Sequence, residues 1–222
     1  MGDRRAKEHL FDAFAVVTKA LASGRRAEIL DVLSQGPRSV EDIAGEIGQS
    51  VANTSHHLRV MARGGLLASD KDGTRVHYRL ASPAVLDLWR TIRRVAAEHV
   101  AELDRLADAY LGDRDGLEPV PPKELLRRMR RGEVTVLDVR PAQEFASGHI
   151  KGARSIPIGE LAKRLREIDR SKDVVAYCRG PYCVFADDAV RLLRRKGFAA
   201  ERLTDGFPEW RDAGLPVTGG GA

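Results

Sequence analysis

The first half of the chain has the hydrophobic spacing of a series of helices. Apolar residues recur every three or four positions in stretches separated by Gly, Pro and polar residues. This spacing predicts four helices, at residues 10–21, around 29–33, at 40–46 and at 50–63. Two strands are predicted next, at residues 66–69 and 74–80. They are joined through Lys71-Asp72-Gly73, and Asp-Gly is typical of a tight hairpin turn.

A long helix and a spacer follow the hairpin. Ser82-Pro83 predicts a helix start, because Ser is a favoured N-cap and Pro is tolerated at the first helical position. The apolar stripe continues to Tyr110, so we expect one helix to run to this point, with more apolar surface than a small domain covers. Residues 111–122 contain two Gly and three Pro without periodicity, which predicts a linker.

The second half alternates short, continuous apolar runs with helical segments. The apolar runs lie at residues 134–139 and 174–177, and the helices at 123–131, 159–168 and 184–196. Ser155-Ile156 lies between the first run and the second of these helices, and a short strand is predicted near residues 201–203. Continuous runs separated by helices indicate a parallel sheet covered on both faces. The sequence therefore predicts a multidomain protein, with a mainly α domain over residues 1–110, a linker over 111–122 and an α/β domain over 123–222.

Composition narrows the class of protein. The 222 residues are 43% hydrophobic and 31% charged, no apolar run reaches the roughly 18–20 residues of a membrane span, and the N-terminus lacks an apolar signal core. The two cysteines exclude a disulfide scaffold, so we expect a cytoplasmic protein without membrane contact. The net charge of +5 says little by itself, but residues 50–80 carry five basic and two acidic side chains.

Two short helices followed by a hairpin are typical of a winged helix-turn-helix, which binds double-stranded DNA. In the second of these helices we expect Val51, Leu58, Met61 and Ala62 to face the core. The opposite face carries polar side chains, and the hairpin tip carries two cations that can approach a minor groove. The predicted DNA-binding residues are Ser50, Asn53, Ser55, His56, Arg59, Lys71 and Arg75.

The stretch SVEDIAGEIGQSVANTSHHLRVMARGGLLASDKDGTRVHYRL resembles the ArsR-type family of bacterial transcriptional repressors, over about residues 8–108. The resemblance implies a homodimer formed by the first and last helices, which would cover the long apolar stripe. Family members often bind metals through paired cysteines on the helix before the turn, and VEDIAGEI has none. Another family site near the ends of the last helix is suggested by Asp87, His99 and Glu102, but Trp89 replaces a ligand there, so no metal site is predicted.

Both cysteines lie in one loop at the end of the best central strand. Cys178 directly follows residues 174–177, and the loop continues through Arg179, Gly180, Pro181 and Tyr182 to Cys183. Ligands of open parallel sheets bind beyond the carboxyl ends of the strands. Loop N–H groups and the next helix N-terminus favour negative charge, so we expect a depressed pKa and a nucleophilic thiolate at Cys178, suited to holding a persulfide. Arg179 adds a cation, and Gly180 permits unusual backbone angles.

The segments VLDVRPAQEFASGHIKGARSIP, VVAYCRGPYC and DGFPEWRDAGLPV resemble a rhodanese (sulfurtransferase) domain, over about residues 119–218. The resemblance implies that Cys178 accepts sulfur and that Asp138 and Arg140 are mainly structural. The predicted catalytic residues are Cys178, Cys183 and Arg179, and the predicted substrate-binding loop contains Gly180, Tyr182 and Val184.

Two departures from the family pattern concern the loop. Cys183 stands where many active members have Arg, and Pro181 removes one N–H. Val184 stands where related phosphatases and arsenate reductases need Arg, which argues against phosphate or arsenate chemistry.

Three hypotheses follow. The first is a homodimeric repressor that binds an operator and senses sulfane sulfur or oxidants through Cys178, with Cys183 as the resolving thiol. The second is an active sulfurtransferase fused to a DNA-binding domain that responds to another signal. The third is a thiol-based metal or metalloid sensor, although a third ligand is not identifiable. No cofactor is expected under the first hypothesis.

Overall fold

The chain folds into two compact units. A computed structural model describes residues 2–117 and 119–219. The first unit ends at Val100 and the second begins at Ala101. Within the described residues, no helix is long and apolar enough to cross a membrane.

The N-terminal unit consists of five helices and a small antiparallel sheet. Its helices are α1 (Arg4–Leu21), α2 (Gly24–Leu33), α3 (Val40–Glu46), α4 (Val51–Arg63) and α5 (Pro83–His99). Its strands are β1 (Arg38–Ser39), β2 (Leu67–Asp72) and β3 (Arg75–Leu80), in the order β1-β3-β2. The predicted hairpin is present, with its turn at Gly73-Thr74, whereas the two-residue strand β1 was not predicted.

The helix-turn-helix is held by local capping and by an apolar core. The Ser39 side chain accepts a hydrogen bond from the Asp42 N–H, and Ser50 accepts one from the Asn53 N–H, so α3 and α4 both begin on Ser N-caps. Leu58 and Met61 of α4 are fully buried with Ile29, Leu30 and Ile43. Burial of one face of α4 leaves the opposite face available to a ligand.

The prediction of one helix over residues 83–110 was wrong. Helix α5 ends at His99, Val100 is extended with φ −96° and ψ 97°, and helix α6 (Leu103–Leu111) starts afresh in the second unit. The apolar stripe continues on both sides of the break, so periodicity gave no signal for it. The expectation that Val51 faces the core was also wrong, because its side chain is 47% exposed in the first turn of α4.

The C-terminal unit is built on a parallel sheet. Its further helices are α7 (Pro122–Arg130), α8 (Ala142–Ser147), α9 (Ile158–Arg164), α10 (Phe185–Arg195) and α11 (Phe207–Asp212). Its strands are β4 (Pro119–Val120), β5 (Val134–Asp138), β6 (His149–Ile150), β7 (Arg154–Ser155), β8 (Asp173–Tyr177), β9 (Ala200–Leu203) and β10 (Val217–Thr218).

Five strands pair in the order β4-β9-β8-β5-β7, all parallel, while β6 and β10 form a separate antiparallel ribbon. The α/β architecture with a parallel sheet is therefore confirmed. Strand β8 lies at the centre, and its side chains alternate between two apolar cores: Val174 and Ala176 face one, Val175 and Tyr177 the other.

The segment assigned to a linker is largely ordered against the second unit. It contains the end of α6 and strand β4, which pairs with β9. Between them, backbone carbonyls of residues 113–117 accept hydrogen bonds from arginines of the same unit. The domain limits drawn from the sequence remain a prediction, and the segment itself is more structured than its Gly and Pro content suggests.

Candidate functional site

The polar face of α4 is presented to solvent as the sequence predicted. Asn53, His56 and Arg59 are exposed, Ser55 is half-buried, and Ser50 is exposed at the N-cap. Arg59 Nε donates to the Ser55 carbonyl oxygen at 3.2 Å, which directs this guanidinium along the helix surface. Lys71 and Arg75 are exposed at the end of the β2–β3 hairpin. One helix face and one hairpin tip therefore display the donors and cations that suit DNA.

The cysteine loop, residues 178–183, leaves the end of β8 and enters α10. Cys178 is 3% exposed, Cys183 is half-buried, and both are free thiols. Cys178 Sγ lies 3.6 Å from the Cys183 carbonyl oxygen and 4.0 Å from that of Gly180. The Cys183 N–H donates to the Gly180 carbonyl oxygen at 3.1 Å, so the loop folds back and brings its two cysteines together.

The two thiols differ in their tendency to ionise, and the expected pKa for Cys178 was wrong. Burial, and then its hydrogen bond and charge interaction with Cys183, raise the pKa of Cys178 well above its ordinary value. The hydrogen bond from Cys178 lowers the pKa of Cys183, helped by the Arg179 and Phe185 N–H groups. N–H groups of Gly180 and Ala186 do favour a Cys178 thiolate, but burial outweighs them. The pair therefore loses its first proton more readily from Cys183 than from Cys178.

Arg179 is held by a buried carboxylate. Its guanidinium donates to Glu144 Oε1 through Nε at 2.9 Å and through Nη2 at 2.6 Å, and lies 5.4 Å from the Phe185 ring centre. Glu144 is fully buried in α8. This bidentate pair anchors the start of the cysteine loop.

Two further predicted loop residues, Tyr182 and Val184, differ in their exposure to solvent. Tyr182 is 38% exposed, and Val184 is half-buried at the N-cap of α10 without a side-chain cap. The geometry therefore makes Tyr182 the loop side chain most open to a ligand.

A buried polar network fixes the strand end that carries Cys178. Arg140 Nη2 donates to Asp138 Oδ2 at 2.6 Å and to the Gly148 carbonyl oxygen at 2.8 Å, with both charged side chains fully buried. The Tyr177 hydroxyl donates to Asp138 and accepts the Ile150 N–H. Tyr177 precedes Cys178, so this network positions the loop from the opposite face of the sheet. It agrees with the structural role implied for Asp138 and Arg140.

Gly206 is a site residue that the sequence reasoning missed. A β-carbon there would lie 2.2 Å from the Arg179 carbonyl carbon and 2.3 Å from Gly180 N, where no side chain fits. The next N–H, from Phe207, donates to the Cys178 carbonyl oxygen at 3.1 Å. The signal lay in the quoted DGFPEW segment, which was treated only as part of a resemblance.

No metal centre is evident in the part of the chain that the structure describes, where no group of three or more His, Cys, Asp or Glu side chains could hold an ion. Asp87 lies 3.4 Å from Arg90, Glu102 lies 3.3 Å from Arg105, and His99 lies 3.7 Å from Glu98. The structure therefore does not gather Asp87, His99 and Glu102 into one site.

Comparisons with known proteins identify both halves. The family model "Bacterial regulatory protein, arsR family" matches residues 23–69, and the model "Rhodanese-like domain" matches residues 121–213. The HTH-type transcriptional regulator Rv0324 of Mycobacterium tuberculosis is 48% identical over 219 residues, which cover 99% of this chain and 96% of that protein.

Two further relatives match one half each. The thiosulfate sulfurtransferase GlpE of Pseudomonas putida is 30% identical over 93 residues, covering 41% of this chain and 83% of that enzyme. The solution NMR structure of the homodimeric winged helix-turn-helix DNA-binding domain of Mb0332 from Mycobacterium bovis is 42% identical, with a TM-score of 0.42, and covers 46% of this chain and 93% of that one.

The likeness to the mycobacterial regulator extends over nearly the full length of both proteins, and the two family models match in the same order as the two units of the structure. The chain therefore belongs to the ArsR family of DNA-binding transcriptional regulators, as a member with a C-terminal rhodanese-like domain.

Proposed function

We propose that the chain is a homodimeric repressor whose rhodanese-like domain senses sulfane sulfur or oxidants through Cys178, with Cys183 as the resolving thiol. The observation that carries this proposal is the pairing of the chain's only two cysteines in one loop between a buried strand and a helix. The hydrogen bond between the two thiols supports it, because it places Cys183 where it can attack a sulfur bound at Cys178.

Dimer formation is supported by apolar surface on the first and last helices of the N-terminal unit. Leu10, Phe11 and Phe14 of α1 are 53%, 58% and 60% exposed, and Val95 of α5 is 48% exposed. An apolar groove of about 350 Å³ lies nearby, lined by Val17, Thr18, Leu21, Ala22, Ala27, Leu88, Trp89 and Ile92. Contiguous exposed apolar surface of this kind marks an interaction site. A second copy would cover it and present two α4 helices to successive major-groove half-sites, about 34–36 Å apart.

The first chemical step joins sulfur to Cys178. As Cys178 Sγ attacks the outer sulfur of thiosulfate, its proton passes to the Cys183 thiolate. The S–S bond of thiosulfate breaks, and sulfite leaves with the electron pair, which gives a Cys178 persulfide anion and a Cys183 thiol. A polysulfide reacts in the same way, with a shorter polysulfide anion leaving. The N–H groups of Gly180 and Ala186, which favour negative charge on Cys178, would stabilise the product.

The second step closes the loop. The persulfide takes back the proton, and the Cys183 thiolate attacks Cys178 Sγ, so that a disulfide forms and HS⁻ leaves. With peroxide, the Cys178 sulfur becomes a sulfenic acid and the oxidant's second oxygen leaves as water. Cys183 then displaces that hydroxyl as a second water. Both routes reach the same disulfide, which would change the loop and end operator binding.

The decisive experiment follows cysteine chemistry and operator binding in the same sample. Mass spectrometry of polysulfide-treated protein should show one added sulfur on Cys178 and then a Cys178–Cys183 disulfide, while fluorescence anisotropy shows weaker operator binding. Cys178→Ser should abolish both changes. Cys183→Ser should keep the added sulfur and lose the disulfide. A Cys178→Ser protein that still releases DNA on treatment would exclude the proposal.

A sulfurtransferase activity is the second candidate, supported by the 30% identity to a thiosulfate sulfurtransferase. Cys183 in the position of the usual Arg, and Pro181 without an N–H, favour a single labelling event over repeated turnover. Steady thiosulfate–cyanide turnover that depends on Cys178, together with unchanged operator binding, would favour the enzyme over the sensor.

A further inference from the structure

The segment just before β4 is fastened to helix α10, which begins directly after the cysteine loop. Arg194 Nη1 of α10 donates to the Gly116 carbonyl oxygen at 2.6 Å, and Arg191 Nη2 donates to that of Asp113. Arg202 Nε of β9 donates to the Leu117 carbonyl oxygen at 3.2 Å. Residues 113–117 are thus held by three arginines of the rhodanese-like unit, and they lie on the chain's only covalent route to the DNA-binding unit.

Arg114 joins this segment to the cysteine loop itself. Its Nε lies 2.7 Å from Asp187 Oδ2 in the first turn of α10, and its Nη2 donates to the Pro181 carbonyl oxygen at 3.1 Å. Asp187 is fully buried, whereas the Arg114 side chain is 25% exposed. The Arg114 side chain therefore joins the segment to the start of α10 and to the middle of the loop between the two cysteines.

A second cation shares the same carboxylate. Arg202 Nε lies 3.4 Å from Asp187 Oδ1, and the Arg202 side chain is 13% exposed. Burial and the neighbouring Arg114 cation lower the pKa of Arg202, while Asp187 and a Cys178 thiolate act in the opposite direction. If Arg114 moves away, Asp187 keeps Arg202 as its partner. Release of Arg114 therefore leaves the Asp187 carboxylate with one cation at 3.4 Å, which lowers the large cost of breaking a buried ion pair.

We infer that Arg114 is a latch that positions the cysteine loop and passes its state to residues 113–117, which precede β4 in the second unit. The inference rests on the proposed function and names its route of regulation. With the loop reduced, the Pro181 carbonyl and Asp187 hold Arg114 and fix residues 113–117. A bond between Cys178 and Cys183 changes the backbone that carries Pro181, so the Pro181 contact is lost, Arg114 is released and the segment loosens.

The test uses the full chain and three variants. Arg114→Gln removes the cation and both contacts. Arg114→Lys keeps a cation for Asp187 but has no planar fork to reach Pro181 as well. Arg105→Gln is the matched control, because Arg105 is 72% exposed and forms an exposed ion pair with Glu102 at the start of α6. Hydrogen exchange of residues 112–117, cysteine mass and operator affinity are measured before and after polysulfide, and after alkylation with iodoacetamide.

In wild type and Arg105→Gln, treatment should speed exchange of residues 112–117 at least threefold and weaken operator binding at least tenfold. Arg114→Gln should already show fast exchange and weak operator binding when reduced, with less than a twofold response, although its cysteines still gain sulfur. Arg114→Lys should resemble Arg114→Gln. A wild-type response in either Arg114 variant would overturn the latch.

Failure of the latch and failure of the sensor give different results. If polysulfide releases operator equally from wild type and Arg114→Gln, the sensor stands and the latch is wrong. If polysulfide has no effect on operator binding, the sensor is wrong. The latch then stands if alkylation of the loop speeds exchange of residues 112–117 in wild type and Arg105→Gln but not in the Arg114 variants. It falls if alkylation leaves that exchange unchanged in wild type.

Discussion

Replacing Gly206 by Ala tests whether the backbone behind the cysteine loop sets its reactivity. Gly206 has φ −103° and ψ −172°, angles that Ala adopts freely, so the substitution introduces no backbone strain. The added methyl group would lie 2.2 Å from the Arg179 carbonyl carbon and 2.3 Å from the Arg179 oxygen. The perturbation is therefore purely steric and falls on the residue after Cys178.

The expected size follows from that overlap. Non-bonded carbon atoms pack at about 3.5–4.0 Å, so the loop must retreat by roughly 1.3–1.8 Å from the 2.2 Å contact. Overpacking of this kind costs about 1–3 kcal/mol of stability. A misplacement of about 1 Å at a reacting group slows chemistry by up to roughly 100-fold. We expect a lower urea midpoint for the C-terminal unit and a Cys178 persulfidation rate about 10- to 100-fold below that of wild type.

The assay is quenched-flow mass spectrometry of Cys178 after polysulfide addition, alongside urea unfolding followed by the fluorescence of Trp210 in a Trp89→Phe background. Gly159→Ala is the matched control, because a β-carbon at Gly159 meets nothing within 4 Å. That variant should match or slightly exceed wild type in stability, since Ala is the better helix former. A Gly206→Ala protein that unfolds and reacts within twofold of wild type would refute the steric argument.

Three further predictions concern the cysteines, the DNA face and the dimer. Because the pKa of Cys183 is lowered and that of Cys178 raised, iodoacetamide should alkylate Cys183 first. The alkylation rate should be half-maximal below pH 9 for Cys183 and above pH 9 for Cys178. The same dependence of rate on pH for both cysteines, followed by mass spectrometry, would contradict the opposite pKa shifts. Arg59→Ala should lower the affinity for operator and for non-specific DNA equally, and should reduce the slope of log affinity against log salt concentration by about 1, measured by anisotropy. Loss of operator preference alone would argue for a base contact. Phe14→Glu should convert the dimer to a monomer in analytical ultracentrifugation, and an unchanged mass would place the interface elsewhere.

The elements predicted best from sequence are those with local signals. The turn predicted at Lys71-Asp72-Gly73, the helix start predicted at Ser82-Pro83 and the alternation of apolar runs with helices each depend on a few neighbouring residues. The break at Val100 has no such signal, because the apolar stripe continues through it. Val51 fits the helical period of the core but lies in the first turn of α4, where the core does not reach it.

The parts of the site that escaped prediction depend on residues distant in the chain. The depressed pKa expected for Cys178 followed from its loop and helix, but burial by the rest of the fold reversed the shift. Gly206 and Arg114 contact the loop from segments about thirty and seventy residues away, and neither position carries a pattern of its own. The motif located the cysteines correctly, and the tertiary contacts determined their chemistry.

The order of strands in the parallel sheet has a consequence for how the protein is made. In the N-terminal unit, β2 pairs with the strand that follows it, as Leu67 does with Leu80. In the second unit the pairs are distant in the chain: Val134 of β5 pairs with Asp173, and Pro119 of β4 pairs with Arg202 of β9. Non-local pairing is slow, and domains fold from the N-terminus during synthesis. A nascent chain is therefore expected to fold its DNA-binding unit before the cysteine loop is formed, so that unit can reach its operator before the loop exists as a structure.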